Sequence, residues 1–183
     1  LGSSVTATAS IPDAAGNVGM SSTVSFAYDA SAPAAPTLDF DSNGNILVSG
    51  LETGATWQYS VDGEAAEAGT GTSLSTAEVP AGVYSITASQ VDTAGNAGPA
   101  SAAQLLVVGR TGADRIGGVA DQTEWVKLNG GADVITASDA VKIQGFGTDD
   151  KIDLSALLKA AGYIGQSTVA VGSENSPFLL QKV

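Results

Sequence analysis

Along most of this chain apolar residues alternate with polar ones instead of recurring at helical spacing. "SVTATASI" places Val5, Ala7, Ala9 and Ile11 on one side of an extended strand, and "TVSFAY" does the same with Val24, Phe26 and Tyr28. "PTLDF", "NILVSG", "ATWQYSV", "GTSLSTAEVP", "GVYSITASQV" and "AAQLLVV" follow, most of them rich in Val, Ile, Thr and aromatics and bounded by Gly, Pro, Asn and Asp. Alternation at period two between such boundaries predicts short antiparallel strands of a sandwich. No helical period precedes residue 150. The exception is "DLSALLKAAG": Asp153 or Ser155 caps it, Leu154, Leu157 and Leu158 form an apolar stripe, and Gly162 stops it. That pattern predicts a short helix near 154–161. "STVAVGS" and "FLLQKV" read as two further strands.

The chain repeats itself. Displaced by 79 positions, residues 5–28 overlay residues 84–107 without a gap, with nine of 24 positions identical, among them Asp13/Asp92, Gly16/Gly95, Asn17/Asn96 and Ser22/Ser101. A period of this length matches one small sandwich unit. Residues 1–35 then read as the last two strands of a preceding unit plus the proline linker "DASAPAAPT", and residues 36–108 as a whole unit. The place of the linker is next taken by "VGRTGADRI", which predicts a different kind of domain over 109–183. With no initiator Met and a repeat entered midway, the sequence reads as a fragment of something longer.

Two features of the middle unit point to an immunoglobulin-like sandwich. Trp57 falls in the third strand, where a large aromatic fills the centre, and Tyr84 stands two residues before Ile86, as a tyrosine corner precedes a core position. There is no Cys, so apolar packing has to supply the stability. "GATWQYSVDG", "AGVYSITASQVDTAGNAG" and "SAPAAPTL" together resemble the bacterial Ig-like extender repeats of giant type I-secreted adhesins, the RTX and biofilm-associated adhesins, over residues 1–108. The resemblance implies a rod on the bacterial cell surface that projects a binding tip, stiffened by Ca²⁺ at domain junctions. It further implies an extracellular protein, monomeric within a long multidomain chain, that meets a host or environmental surface ligand through its parent protein.

The loop "DTAGN" supplies a carboxylate at Asp92, a Gly free to take positive φ, and an amide oxygen at Asn96; Asp13 and Asn17 match them. A junction site for Ca²⁺, which takes oxygen ligands, would draw on Asp13, the linker Asp29, and Asp62 or Asp39 and Asp41 of the next unit. "DFDSNGN" has alternating oxygen side chains before a Gly but lacks the distant Glu of an EF-hand. The competing reading is a tight hairpin with an Asx cap. No Asp stands at the second copy's equivalent of Asp29, which favours Asp13 over Asp92.

Beyond residue 109 the pattern becomes Gly- and Asp-rich. "GRTGADRI" fits a G-G-x-G-x-D-x-U nonapeptide except at one Gly, "LNGGADVI" returns 19 positions later, and "GFGTDDKIDLSALL" follows. Gly turns, an Asp and an inward apolar residue describe a rung of a parallel β-roll. This stretch resembles the RTX-like region of type I-secreted proteins. Carried over position by position, the resemblance names Asp114, Asp133, Asp149, Asp150 and Asp153 as candidate Ca²⁺ ligands. The predicted fold is therefore all-β: an Ig-like antiparallel β-sandwich followed by a second, mainly β domain, RTX-like roll or sandwich, with one short helix.

Net charge narrows the partners. Seven Lys+Arg against 19 Asp+Glu give −12, which opposes nucleic acid and anionic membrane. No apolar run approaches the roughly 18 residues needed to cross a bilayer. With no His, no Cys, no G-x-S-x-G and no phosphate-binding loop, an enzyme is not expected, and Glu124 has no evident partner as a catalytic acid. The expected role is a non-catalytic extender and junction segment. The alternatives are a carbohydrate- or peptide-binding module near the adhesin tip, or accessory domains of a secreted polysaccharide-acting enzyme. Trp125 separates these: exposed beside a groove it would suit sugar stacking, buried it is ordinary core.

Overall fold

The computed structural model describes residues 3–119, 122–138, 140–160, 168–169 and 178–180. Its first part is a long hairpin. Strands β1 (Ser3–Ala7) and β4 (Val24–Tyr28) pair in register Ser3↔Tyr28, and β2 (Ser10–Pro12) and β3 (Val18–Met20) continue to the loop at Asp13–Asn17. Every residue from Ser3 to Tyr28 is exposed.

Strands β5 (Thr37–Phe40), β6 (Ile46–Ser49), β7 (Thr56–Val61), β8 (Glu67–Ala68), β9 (Ser73–Leu74), β10 (Gly82–Val91) and β11 (Gln104–Val108) form the sandwich. One sheet runs β5-β6-β9; the facing one contains β8-β7-β10-β11. "GTSLSTAEVP" contributes only the two residues of β9. Alternation becomes burial as expected: Leu38, Phe40, Ile46, Val48, Trp57, Ile86, Ala88, Leu106 and Val108 meet in one core. The tyrosine corner is present, with Tyr84 O–H donating to Pro80 O at 3.0 Å. Trp57 Nε1–H donates to Gly71 O at 2.8 Å, which satisfies the one polar group that its burial removes from water.

The repeat is confirmed in register and corrected by one residue. Ser3↔Tyr28 corresponds to Gly82↔Val108, so the offset is 79 through the loop as far as Gly19/Gly98 and 80 from Ser21/Ser101 onward. Ser21 N–H donates to Ala9 O while its Oγ accepts from Ala9 N–H; Ser101 makes the same pair of bonds with Ala88. Ser21, not Ser22, is thus the counterpart of Ser101. The extra residue lies in Pro99–Ala100, where a proline has no N–H to give a ladder.

The linker is packed down. Pro33 and Pro36 are buried, and the fully buried Gln90 ties the linker to the sandwich: Nε2 donates to Ala34 O (2.8 Å) and Gly50 O (3.0 Å), and Oε1 accepts from Glu52 N–H (2.8 Å). A Cβ on Gly98 would stand 2.5 Å from Pro33 O, so only glycine allows this approach.

Beyond β11 the chain winds as a flattened parallel coil. β12 (Arg115–Gly117), β14 (Val134–Thr136) and β16 (Lys151–Asp153) form one parallel ladder; β13 (Glu124–Lys127) and β15 (Val141–Gln144) extend the sandwich sheet beyond β11, also in parallel. The registers Arg115↔Val134↔Lys151 and Leu105↔Glu124↔Val141 set the coil period. Helix α1 (Ser155–Ala160) follows, with Ser155 N–H donating to Asp153 Oδ1 at 2.9 Å, and Leu154 and Leu157 pack on the coil's core. β17 (Thr168–Val169) and β18 (Phe178–Leu180) add antiparallel edges to β16 and β15. The helix stop expected at Gly162, and the rest of those two expected strands, lie outside the described residues.

The two halves share a sheet. The boundary expected at 108/109 falls at the end of β11, a strand buried on both faces: Leu106 and Val108 enter the sandwich core, Val107 the coil core. β13 repeats this, with Trp125 in the first core and Val126 in the second. The fold is all-β in several sheets, with one short helix among the described residues.

Candidate functional site

Asp13, Asp41 and Asp92 each open the same five-residue hairpin, D-x-x-G-N, closed by Gly16, Gly44 and Gly95 at φ 88°, 84° and 92°. In each, the Asp N–H donates to the Asn carbonyl, at 2.8, 3.0 and 3.1 Å. Oδ1 accepts two backbone N–H groups, those of Ala15 and Asn17, Asn43 and Asn45, or Ala94 and Asn96, all within 2.9 Å. Oδ2 accepts the Asn side-chain amide at 2.8, 3.4 and 2.7 Å. The Asn17 and Asn96 side chains, with the backbone donors, hold the Asp13 and Asp92 carboxyls below the ordinary carboxylate range. At Asp41 burial acts in the opposite sense and is outweighed by the donors of Asn45 and Asn43. These are Asx-capped turns in which both carboxylate oxygens already have partners. The third copy, "DSNGN", is legible in the sequence through its D-x-x-G-N spacing, which the EF-hand comparison obscured.

The expected junction set around Asp13 does not assemble. Asp13 is at the tip of the first hairpin and Asp29 follows its opposite end, beyond Tyr28. Asp29 instead approaches the second loop, where Asn96 Nδ2 donates to its carbonyl at 3.1 Å, while its own carboxylate accepts Ser31 N–H at 3.0 Å. The linker therefore docks on the loop of the unit that follows it, so Asp92 and Asn96, not Asp13 and Asn17, are the pair at the junction. Asp62 serves a type I′ turn with Gly63, at φ 52° and 77°, and its Oδ1 accepts Ser85 N–H at 2.7 Å. Asp39 pairs with Lys142, which pulls its carboxyl down against the effect of burial.

The coil carries an aspartate ladder. Asp114, Asp133 and Asp150 end successive turns and are all buried. Asp133 Oδ1 accepts Asp114 N–H at 2.8 Å, and Asp150 Oδ1 accepts Asp133 N–H at 2.8 Å. Asp114 takes Arg110 N–H (2.6 Å) and Nε–H (2.8 Å); Asp150 Oδ2 takes Gly147 N–H at 2.7 Å. The turns stack so closely that a Cβ on Gly131, at φ 120°, would fall 2.5 Å from Gly112 C. Asp133 is 0% exposed, and its Oδ2 has no hydrogen-bond partner among the described residues. Burial pushes its carboxyl up, and the charges of Asp150 and Asp114 add to this against the Asp114 N–H. Asp149 is exposed beside the ladder, and Asp153 is held low by the Ser155 hydroxyl and N–H at the helix start.

No protein-family model, curated protein or solved structure matches this chain. Among the described residues no group of three or more acidic, His or Cys side chains is arranged to hold a metal ion, and no helix is long and apolar enough to cross a membrane.

Against the donor set that Ca²⁺ needs, six to eight oxygens, the ladder fits poorly as it stands. Of its six carboxylate oxygens five accept backbone or Arg110 donors; among the described residues only Asp133 Oδ2 has no partner. Trp125 is 1% exposed and stacks on Phe40 with centroids 5.7 Å apart, so it is core and offers no face to a sugar. Glu124 is buried, accepts Val119 N–H, and has its pKa raised by burial.

Proposed function

We propose that the chain is a non-catalytic structural segment of a secreted bacterial surface adhesin, an extender followed by an RTX-like junction. The observation that carries this reading is the sheet that passes unbroken from sandwich to coil through β11 and β13, with no free linker at the seam. Tension along the chain then loads a hydrogen-bonded ladder and two cores at once. The packed proline linker and the repeated Asp hairpin act likewise at the other end of the sandwich.

In this reading Ca²⁺ acts on the coil and not on the hairpins: among the described residues Asp133 Oδ2 is the one ladder oxygen without a donor, and the remaining ligands would have to come from carboxylate oxygens that exchange their present donors for the ion. Thermal melts in Ca²⁺ and in excess chelator test it, since a ligand that binds only the folded state raises stability. Wild type and Asp92→Asn should both melt higher in Ca²⁺, and Asp133→Asn should lose the difference. Identical wild-type melts in both media would remove calcium from the proposal.

A further inference from the structure

We propose that the open edge of β12 is a docking site for an extended acidic segment of another protein, which adds as a strand to the coil's outer ladder. The sheet layers end unevenly here. The sandwich sheet continues past β11 to β10, while the facing coil sheet stops at β12. Val83 of β10 is left 60% exposed on the face that a further strand would cover. A groove of about 230 Å³ marks the missing strand, with Val83 and Val107 on its floor and Arg110, Asp114 and Ile116 on its wall.

The backbone is ready to pair. Asp114 O accepts from Val134 N–H, and Gly118 N–H donates to Thr136 O, so these residues and Ile116 between them face β14. Alternation along a strand then points the N–H and C=O of Arg115 and Gly117 outward, where no described residue meets them. A Cβ on Gly112 or Gly117 would meet nothing within 4 Å, which keeps this flank open.

Charge selects the occupant. The chain has only two arginines, Arg110 and Arg115, in a protein of net charge −12, and both flank this edge. Arg110 commits its Nε to Asp114 and leaves the rest of a guanidinium whose side chain is 75% exposed. Arg115 has no partner among the described residues. Guanidinium groups bind carboxylates in paired hydrogen bonds, so the fitting strand places apolar residues over Val83 and Ile116 and an Asp or Glu against Arg115. A second copy pairing β12 to β12 would bring like charges together.

The test is fluorescence anisotropy on the intact chain with a labelled octapeptide alternating valine with aspartate and threonine. The control replaces aspartate by lysine. The acidic peptide should bind saturably and the basic one should not. Arg115→Glu and Val83→Glu, both at exposed positions, should weaken binding by about tenfold or more while circular dichroism and the melt stay unchanged. Absent saturation, equal binding of both peptides, or indifference to both variants overturns the proposal. So does a dimer in sedimentation equilibrium that Arg115→Glu dissolves, which would assign the edge to a second copy.

Discussion

Trp125 belongs to a coil strand yet is buried in the sandwich core, parallel to Phe40 within 8°. Truncating it to alanine therefore tests whether the two halves unfold as one. An indole buries roughly 200 Å² of surface, worth about 5 kcal/mol at about 25 cal/mol per Å². Measured aromatic-to-alanine losses of about 3–5 kcal/mol include partial relaxation of the cavity, and the stack adds about 1 kcal/mol. We expect a loss of about 4 kcal/mol, or a urea midpoint lower by about 2 M for a slope of about 2 kcal/mol per M. Trp57 is the only other tryptophan, so in Trp125→Ala fluorescence reports the sandwich alone. Its transition should shift down together with the far-ultraviolet circular dichroism. A Trp57 transition left at the wild-type midpoint, with an earlier separate loss of ellipticity, would refute the shared core.

Gln90→Ala leaves Glu52 N–H and the carbonyls of Ala34 and Gly50 without their partner; we expect a loss of about 1–3 kcal/mol and faster proteolysis within residues 29–36. Gly98→Ala should free the linker in the same assay, because its Cβ collides with Pro33 O. Asp133 has a raised carboxyl pKa, so the folded state favours its protonated form; stability is greatest below the ordinary value of 3.8 and is lost as pH rises through the folded value. Asp133→Asn keeps an acceptor for Asp114 N–H and removes that loss, so its melting advantage in chelator should grow as pH rises above the ordinary value of 3.8. A difference independent of pH would count against it. Asp13 and Asp92 have lowered values and act oppositely: stability present above 3.8 falls away as pH drops through their folded values. Asp92→Ala should therefore lower the melt at neutral pH, and the deficit should shrink in acid.

Whatever closes over a few residues is legible in the order of amino acids alone. Alternation marked the first hairpin and the main sandwich strands though not β8, β13 or β15, the Asp-to-Asn span of four marked the hairpin loops, and Asp153 with the leucines marked the helix; each is decided by bonds or contacts between near neighbours. The repeat is equally legible, but the inserted residue at Pro99–Ala100 shows only in the hydrogen-bond register, which a gapless overlay of the two copies does not contain. Which face each strand buries depends on packing between distant elements. "LLVV" is apolar at both parities, the mark of a strand covered on both sides, yet nothing local says that one cover is the sandwich and the other the coil. The same holds for Trp125, for the meeting of Asp29 with Asn96, and for Asp114, Asp133 and Asp150, which lie a whole coil apart along the chain. Their contacts exist because stacked turns bring one residue's carboxylate under another's N–H, and that depends on the period of the coil rather than on any single turn.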